Sequence, residues 1–133
     1  MVQYADPNGA ERVVLIDTPP ELRHQLVRHR VMRCDGVVYT HNHADHIFGL
    51  DDLRRFNAVM GTAVDIFAEQ RMMSWLHTTF GYIFQPQKNV NRSFIPMLIT
   101  HPITEGSSFQ LHGREWMPMR LMRILARAMI CGS

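Results

Sequence analysis

Cysteine is scarce in this chain. Cys34 and Cys131 are the only two in 133 residues, and they stand far apart with no metal-type spacing. That argues against a disulfide-stapled scaffold, and reduced thiols are the expectation. Long hydrophobic runs are missing too: none approaches the roughly twenty residues a membrane-spanning helix needs, so no membrane partner is expected. The opening residues, Met1-Val2-Gln3-Tyr4-Ala5-Asp6, lack the basic stretch and apolar core of a secretion signal, and a cytoplasmic location is the expectation. An excess of one charge is also absent. The formal net charge is +2, too little to argue for a nucleic-acid partner. Internal repeats and low-complexity tracts are lacking.

What remains is an ordinary globular composition, 46% hydrophobic and 20% charged. One domain is expected at this length, able to bury roughly two-thirds of its unfolded surface. Within it, one stretch stands apart: Thr40-His41-Asn42-His43-Ala44-Asp45-His46. Neutral imidazoles are good ligands for borderline-soft divalent metals, and a carboxylate adds a hard oxygen. The stretch follows an apolar strand, Val37-Val38-Tyr39, and runs into a helical segment. In an extended segment residues two apart point the same way, so His41, His43 and Asp45 can converge, and His46 then turns with the chain. The spacing suggests two adjoining metal positions, His41 with His43 at one and Asp45 with His46 at the other. A solvated, histidine-rich turn is the bland alternative.

The elements around this stretch follow from local pattern. Asp6-Pro7-Asn8-Gly9 is turn chemistry between Val2–Ala5 and Glu11–Ile16, which predicts a hairpin. Val13 to Ile16 is a continuous β-branched run, suited to a strand buried on both faces. Thr18-Pro19-Pro20-Glu21 reads as a capping box for a helix to about Arg30, with Leu22, Leu26 and Val27 inward. Asp35-Gly36 turns the chain into a strand over 37–40, giving a right-handed strand–helix–strand unit whose ligand end is where sites in such sheets usually lie. A helix over 47–60, a strand over 63–67 and a helix over 69–79 burying Met72, Trp75 and Leu76 come next. Asp51 and Asp52 are spaced to pair with Arg54 and Arg55 on a solvated helix face. Phe80 to Phe84 precede an aperiodic polar stretch; core packing is expected of Phe80 and Phe84, and the other aromatics there could meet substrate or a second subunit. Strands over 97–100, 108–111 and 115–121 are expected to form a second sheet.

His41-x-His43-x-Asp45-His46, followed by Ile47-Phe48-Gly49-Leu50-Asp51-Asp52-Leu53-Arg54, resembles the signature of the metallo-β-lactamase superfamily of hydrolases. Leu15 to Arg23 and Gly49 to Asn57 are similar to its branch of phosphoribosyl cyclic phosphate phosphodiesterases, the match running from about Val13 to about Met122. The resemblance implies an α/β (α+β) chain, roughly the N-terminal half of an αββα sandwich, with residues 1–122 as a partial domain and 123–133 as an atypical tail. It implies His41, His43, Asp45 and His46 as metal ligands, Asp45 also orienting the attacking water. Asp17 would brace the metal loop through hydrogen bonds without ligating, unless it is an ordinary strand-end aspartate.

By the same resemblance the intact cofactor is two divalent ions, zinc or manganese, with one or none held by this chain. The substrate is a small phosphodiester or nucleotide-like molecule. The strand ending at Met122 should lead into a His-Gly pair carrying a further ligand, and Arg123-Ile124-Leu125-Ala126 stands there instead. His112-Gly113 mimics the pair but precedes the last strand and reads as a turn. Two readings follow: a metal-dependent phosphodiester hydrolase, or a truncated, inactive copy that binds metal weakly or serves as an interaction surface. An uncovered sheet face would favour homodimerisation.

Overall fold

The turn at Asp6 sets the first pairing. Its Oδ1 accepts hydrogen bonds from the backbone N–H groups of Asn8 and Ala10, each at 2.9 Å, and Gly9 takes φ 81°. The strands it joins, β1 (Val2–Ala5) and β2 (Glu11–Ile16), run antiparallel with Val2 opposite Val14. This computed structural model describes residues 1–85, 87 and 95–118. The expected tail from 123 onward, and Cys131, lie outside the described residues, as does the continuation of the last strand past 118.

After α1 (Leu22–Arg28), β3 (Gly36–Val38) pairs parallel with β2, so the predicted strand–helix–strand unit is present. The chain then makes α2 (Ala44–Ile47), a 3₁₀ turn (Leu50–Leu53) and α3 (Arg54–Met60), which ends at Gly61 in the left-handed region, φ 68°. Strand β4 (Val64–Glu69), helices α4 (Gln70–Thr79) and α5 (Gly81–Phe84), and β5 (Leu98–Ile103) follow. The described sheet has the order β1-β2-β3-β4-β5, and β2 to β5 are all parallel. Beyond it, β6 (Phe109–Leu111) and β7 (Arg114–Trp116) form a separate two-stranded hairpin. The fold is thus mixed α/β.

One sheet face carries the main core. Val13, Leu15, Val37, Ile66 and Ala68 pack against Leu22, Leu50, Leu53, Phe56, Met72 and Leu76 from the helices. Removing that apolar surface from water is the main favourable term, at about 25 cal/mol per Å². The opposite face gathers Tyr4, Val14 and Phe67 around Leu111 of the hairpin, and the Tyr4 hydroxyl donates to the Leu111 carbonyl at 2.8 Å. His112 (φ 46°) and Gly113 (φ 75°) form the two-residue turn of that hairpin, the positive-φ pair such turns require. His112-Gly113 is therefore a turn, as its sequence position implies.

Several local expectations give way to tertiary demands. Thr18 is not a helix cap: α1 starts at Leu22 with Glu21 at its N-cap and no side-chain capping bond. Thr18 is fully buried, sharing a hydrogen bond with the Tyr39 hydroxyl at 2.9 Å and donating to the Ile47 carbonyl at 3.2 Å. Val27 and Trp75 face solvent, 72% and 48% exposed, because the short α1 and α4 need only a narrow apolar stripe against the sheet. The helix expected over 47–60 is broken at Gly49. Leu98–Ile103 joins the first sheet, where six of its residues pair with β4, and not a second one. Asn57 locks this arrangement: its side-chain amide donates to the Thr62 and Met97 carbonyls and its oxygen accepts from Met97 N–H at 2.8 Å.

At the start of β3 a buried carboxylate is held by two cations. Asp35, 1% exposed at its side chain, meets Arg12 at 2.9 Å and Arg33 at 2.6 Å, and accepts from Val13 N–H at 2.9 Å. Burial alone would raise its pKa; the bonds from Arg33, Val13 N–H and Arg12 outweigh it and hold the carboxyl below the ordinary range. Cys34 beside it is free and fully buried.

Candidate metal centre

Strand β3 stops hydrogen-bonding as sheet at Val38, yet the chain stays guided for two more residues. Tyr39 N–H reaches the Phe67 carbonyl at 2.9 Å, and Thr40 N–H reaches Asp17 Oδ1 at 2.7 Å. The histidine stretch therefore leaves the sheet at its C-terminal end, where helical packing gives way to open surface. His43 takes an extended conformation as the N-cap of α2, so the chain passes into a helix between His41 and His46.

The rings lie together across this helix start. The His41 and His46 centroids lie 3.8 Å apart, and those of His41 and His43 lie 4.6 Å apart at 75°. Asp45 Oδ2 sits 3.5 Å from His46 Nε2 on a side chain that is 77% exposed. His41 is thus the ring in contact with both other imidazoles, whereas the spacing suggested separate pairs, His41 with His43 and Asp45 with His46. Asp17, His41 and His46 each offer a donor atom, all within 4.8 Å of one another.

Asp17 is the hub of the hydrogen bonds behind these rings. It has positive φ, 59°, at the end of β2, and is 8% exposed. Its Oδ1 takes Thr40 N–H; its Oδ2 takes the Thr40 hydroxyl at 2.5 Å and His46 Nδ1 at 2.7 Å. With both oxygens so engaged, Asp17 is placed to orient the loop, and the other ring nitrogen of His46, Nε2, faces Asp45 Oδ2. This is the usual arrangement of a carboxylate behind a ligating imidazole. Burial, then the neighbouring His46, pushes the His41 pKa below its ordinary value, which keeps that ring neutral and available as a donor near pH 7.

Backbone contacts fix the far side. Thr18 N–H donates to the His46 carbonyl at 2.7 Å, and Gly49 N–H donates to the Thr18 carbonyl at 2.8 Å. Two half-buried imidazoles, a third exposed one and a solvent-facing carboxylate are a donor set that suits a divalent cation. Thr40 went unnoticed as a functional side chain in the sequence. Its place directly before His41 was the available signal.

Among the described residues no helix is long and apolar enough to cross a membrane. Phe48 is exposed and packs edge-on against Phe80, which is buried. Tyr82 donates to Asp51 at 3.0 Å, and burial followed by that carboxylate pushes its pKa to about 12.

Several known proteins are similar to this chain. A crystal structure of a new diphosphatase from the PhnP family is 34% identical, with a TM-score of 0.65, over 80% of this chain and 38% of its own. MEM-A1, a subclass B3 metallo-β-lactamase isolated from a soil metagenome library, is 20% identical with a TM-score of 0.47, covering 82% of this chain and 41% of that one. An octanoyltransferase of Porphyromonas gingivalis (strain ATCC BAA-308 / W83) is 28% identical over 113 residues, 85% of this chain and 22% of that protein. The chain thus spans well under half the length of each of these relatives. The family model for the β-lactamase superfamily domain matches residues 12–125. The motif at the end of β3, the parallel sheet that carries it and this match together make the chain a member of the β-lactamase superfamily.

Proposed function

We propose that this chain carries the cation-gripping half of a metal-dependent hydrolase acting on phosphodiesters or related phosphate esters. The observation that bears most weight is the convergence of His41, His43 and His46 at the C-terminal end of a parallel strand, with His46 Nδ1 held by Asp17 at 2.7 Å. His41, His43, Asp45 and His46 would hold the ions, with Asp17 bracing from behind. The likeness to a diphosphatase of the PhnP family, 34% identical, supports a phosphate substrate over a lactam or thioester.

Divalent ions bound here would supply Lewis-acid activation of water and charge neutralisation at phosphoryl oxygens. The protein's own part is positional. Asp45, exposed and 3.5 Å from His46 Nε2, would accept a hydrogen bond from the attacking water and orient it. Small phosphodiester or nucleotide-like substrates, a cytoplasmic setting and a homodimer belong to the same proposal.

A second reading, metal binding without turnover, is favoured by the ligand census. Within the described residues the donors come from one loop plus Asp17, and the resemblance puts the remaining ligands after the matched region. Elemental analysis of the purified chain, combined with hydrolysis of bis(p-nitrophenyl) phosphate in added Mn²⁺, separates the two. Stoichiometric metal with turnover supports the hydrolase; metal without turnover supports the second reading. Absence of stoichiometric metal overturns both.

A further inference from the structure

The contacts around Asp17 govern more than the position of His46. The Thr40 hydroxyl has a single hydrogen, and an ionised carboxylate can only accept. That hydrogen is therefore committed to Asp17 Oδ2 at 2.5 Å. The same hydroxyl oxygen lies 2.9 Å from Nδ1 of His41. With its hydrogen spent, the oxygen can only accept there, so Nδ1 of His41 carries the ring proton. His46 Nδ1 likewise faces Asp17 Oδ2 at 2.7 Å and must donate.

The result is a continuous relay: His41 Nδ1–H to the Thr40 hydroxyl, the hydroxyl to Asp17, and His46 Nδ1–H to the same carboxylate. In its neutral form each imidazole then keeps a bare Nε2, that of His46 lying 3.5 Å from Asp45 Oδ2. In water a neutral imidazole of histidine favours the opposite tautomer, with the proton on Nε2, so the protein selects against the intrinsic preference. The Thr40 backbone is fixed beside the same carboxylate, its N–H donating to Asp17 Oδ1 at 2.7 Å.

We infer that Thr40 is a positioning residue whose hydroxyl extends the reach of Asp17 to His41, so that one carboxylate sets the tautomer of two imidazoles. The tautomers follow from the hydrogen bonds alone. Their benefit to cation binding rests on the metal-binding reading above.

The test is a long-range ¹H–¹⁵N correlation of the histidine rings in the ¹⁵N-labelled, metal-free full chain, at a pH above imidazole titration. His41 and His46 are expected to show protonated Nδ1 and bare Nε2. Thr40→Val should return His41 to the Nε2–H form and leave His46 unchanged, whereas Thr40→Ser should keep both. In parallel, Mn²⁺ affinity should fall about ten-fold or more in Thr40→Val, and be restored in Thr40→Ser, the usual scale for loss of an outer-shell partner. Thr40→Ala serves as a second hydroxyl-free variant, and the wild-type spectrum decides the assignment even where a variant fails to fold. Nε2–H at His41 in the wild type, or a His41 spectrum indifferent to loss of the hydroxyl, overturns the inference. Wild-type chain with the expected tautomers but no Mn²⁺ uptake would remove the metal-binding reading and leave the relay standing.

Discussion

Gly49 and Pro19 lie so close that a Cβ on Gly49 would press into the Pro19 carbonyl oxygen, and would also meet Leu22 Cβ at 3.0 Å. The crowded atom is backbone and cannot step aside. The close approach requires glycine at the point where the helix expected over 47–60 is interrupted.

Gly49→Ala is therefore expected to destabilise the chain by about 1–3 kcal/mol, the range for overpacking a filled interior. Gly81→Ala is the matched control, since a Cβ there meets nothing within 4 Å, and should be neutral or slightly stabilising, by up to about 1 kcal/mol, through helix propensity. Urea denaturation followed by circular dichroism measures both. Equal midpoints for the two variants would refute the crowding argument.

Asp17→Asn keeps the shape of the side chain but puts an amide where one of the carboxylate oxygens accepts. Both the His46 and Thr40 bonds at Oδ2 depend on that acceptor. Metal affinity is expected to fall about 10- to 100-fold, read by calorimetric titration with Mn²⁺. Undiminished affinity would mean that the carboxylate does not orient the rings.

Asp35 gives the stability a definite pH dependence. Its folded pKa is depressed relative to about 3.9 in the unfolded chain. The folded state then binds fewer protons, so the contribution is fully present above about pH 4 and is lost as pH falls through the lower folded value. Asp6, lowered chiefly by its bond from Arg12, acts in the same direction. Urea midpoints taken from pH 7 to pH 3 should fall for the wild type, and start lower but stay flatter for Asp35→Asn. Parallel curves would show that another group dominates acid unfolding.

Cys34 should be inert while the chain is folded. Burial pushes its thiol up to about 12, so almost no thiolate exists at pH 8. Peptide mapping after iodoacetamide treatment should find Cys34 labelled only when denaturant is present. Labelling at equal rates in both conditions would contradict the burial.

Sequence pattern carried much of this fold. Asp6-Pro7-Asn8-Gly9 announced its hairpin because the turn is made by local side-chain and φ preferences. Val13 to Ile16 announced a buried strand because both faces are covered. The failures are cases where a distant partner overrode a local preference. Thr18 has the look of a capping residue, but Tyr39 and Ile47 claim its hydroxyl. Val27 and Trp75 fall at apolar helical positions with no facing surface to cover. The interruption at Gly49 coincides with a close approach to a carbonyl thirty residues upstream. At the site itself, spacing singled out the histidines and the turn at His46, whereas the packing of His41 against both other rings depends on how α2 starts after His43, which alternation does not encode. Thr40 was invisible for a simpler reason: a threonine at a strand end is common, and only its two hydrogen-bonding partners distinguish it.

Thr18 grips the histidine loop twice through its backbone, by its N–H to His46 and by its carbonyl to Gly49. The rest of the fold thus contributes to the shape of the loop. Conformational entropy given up there on folding is not given up again on binding, which lowers the ordering cost a cation meets.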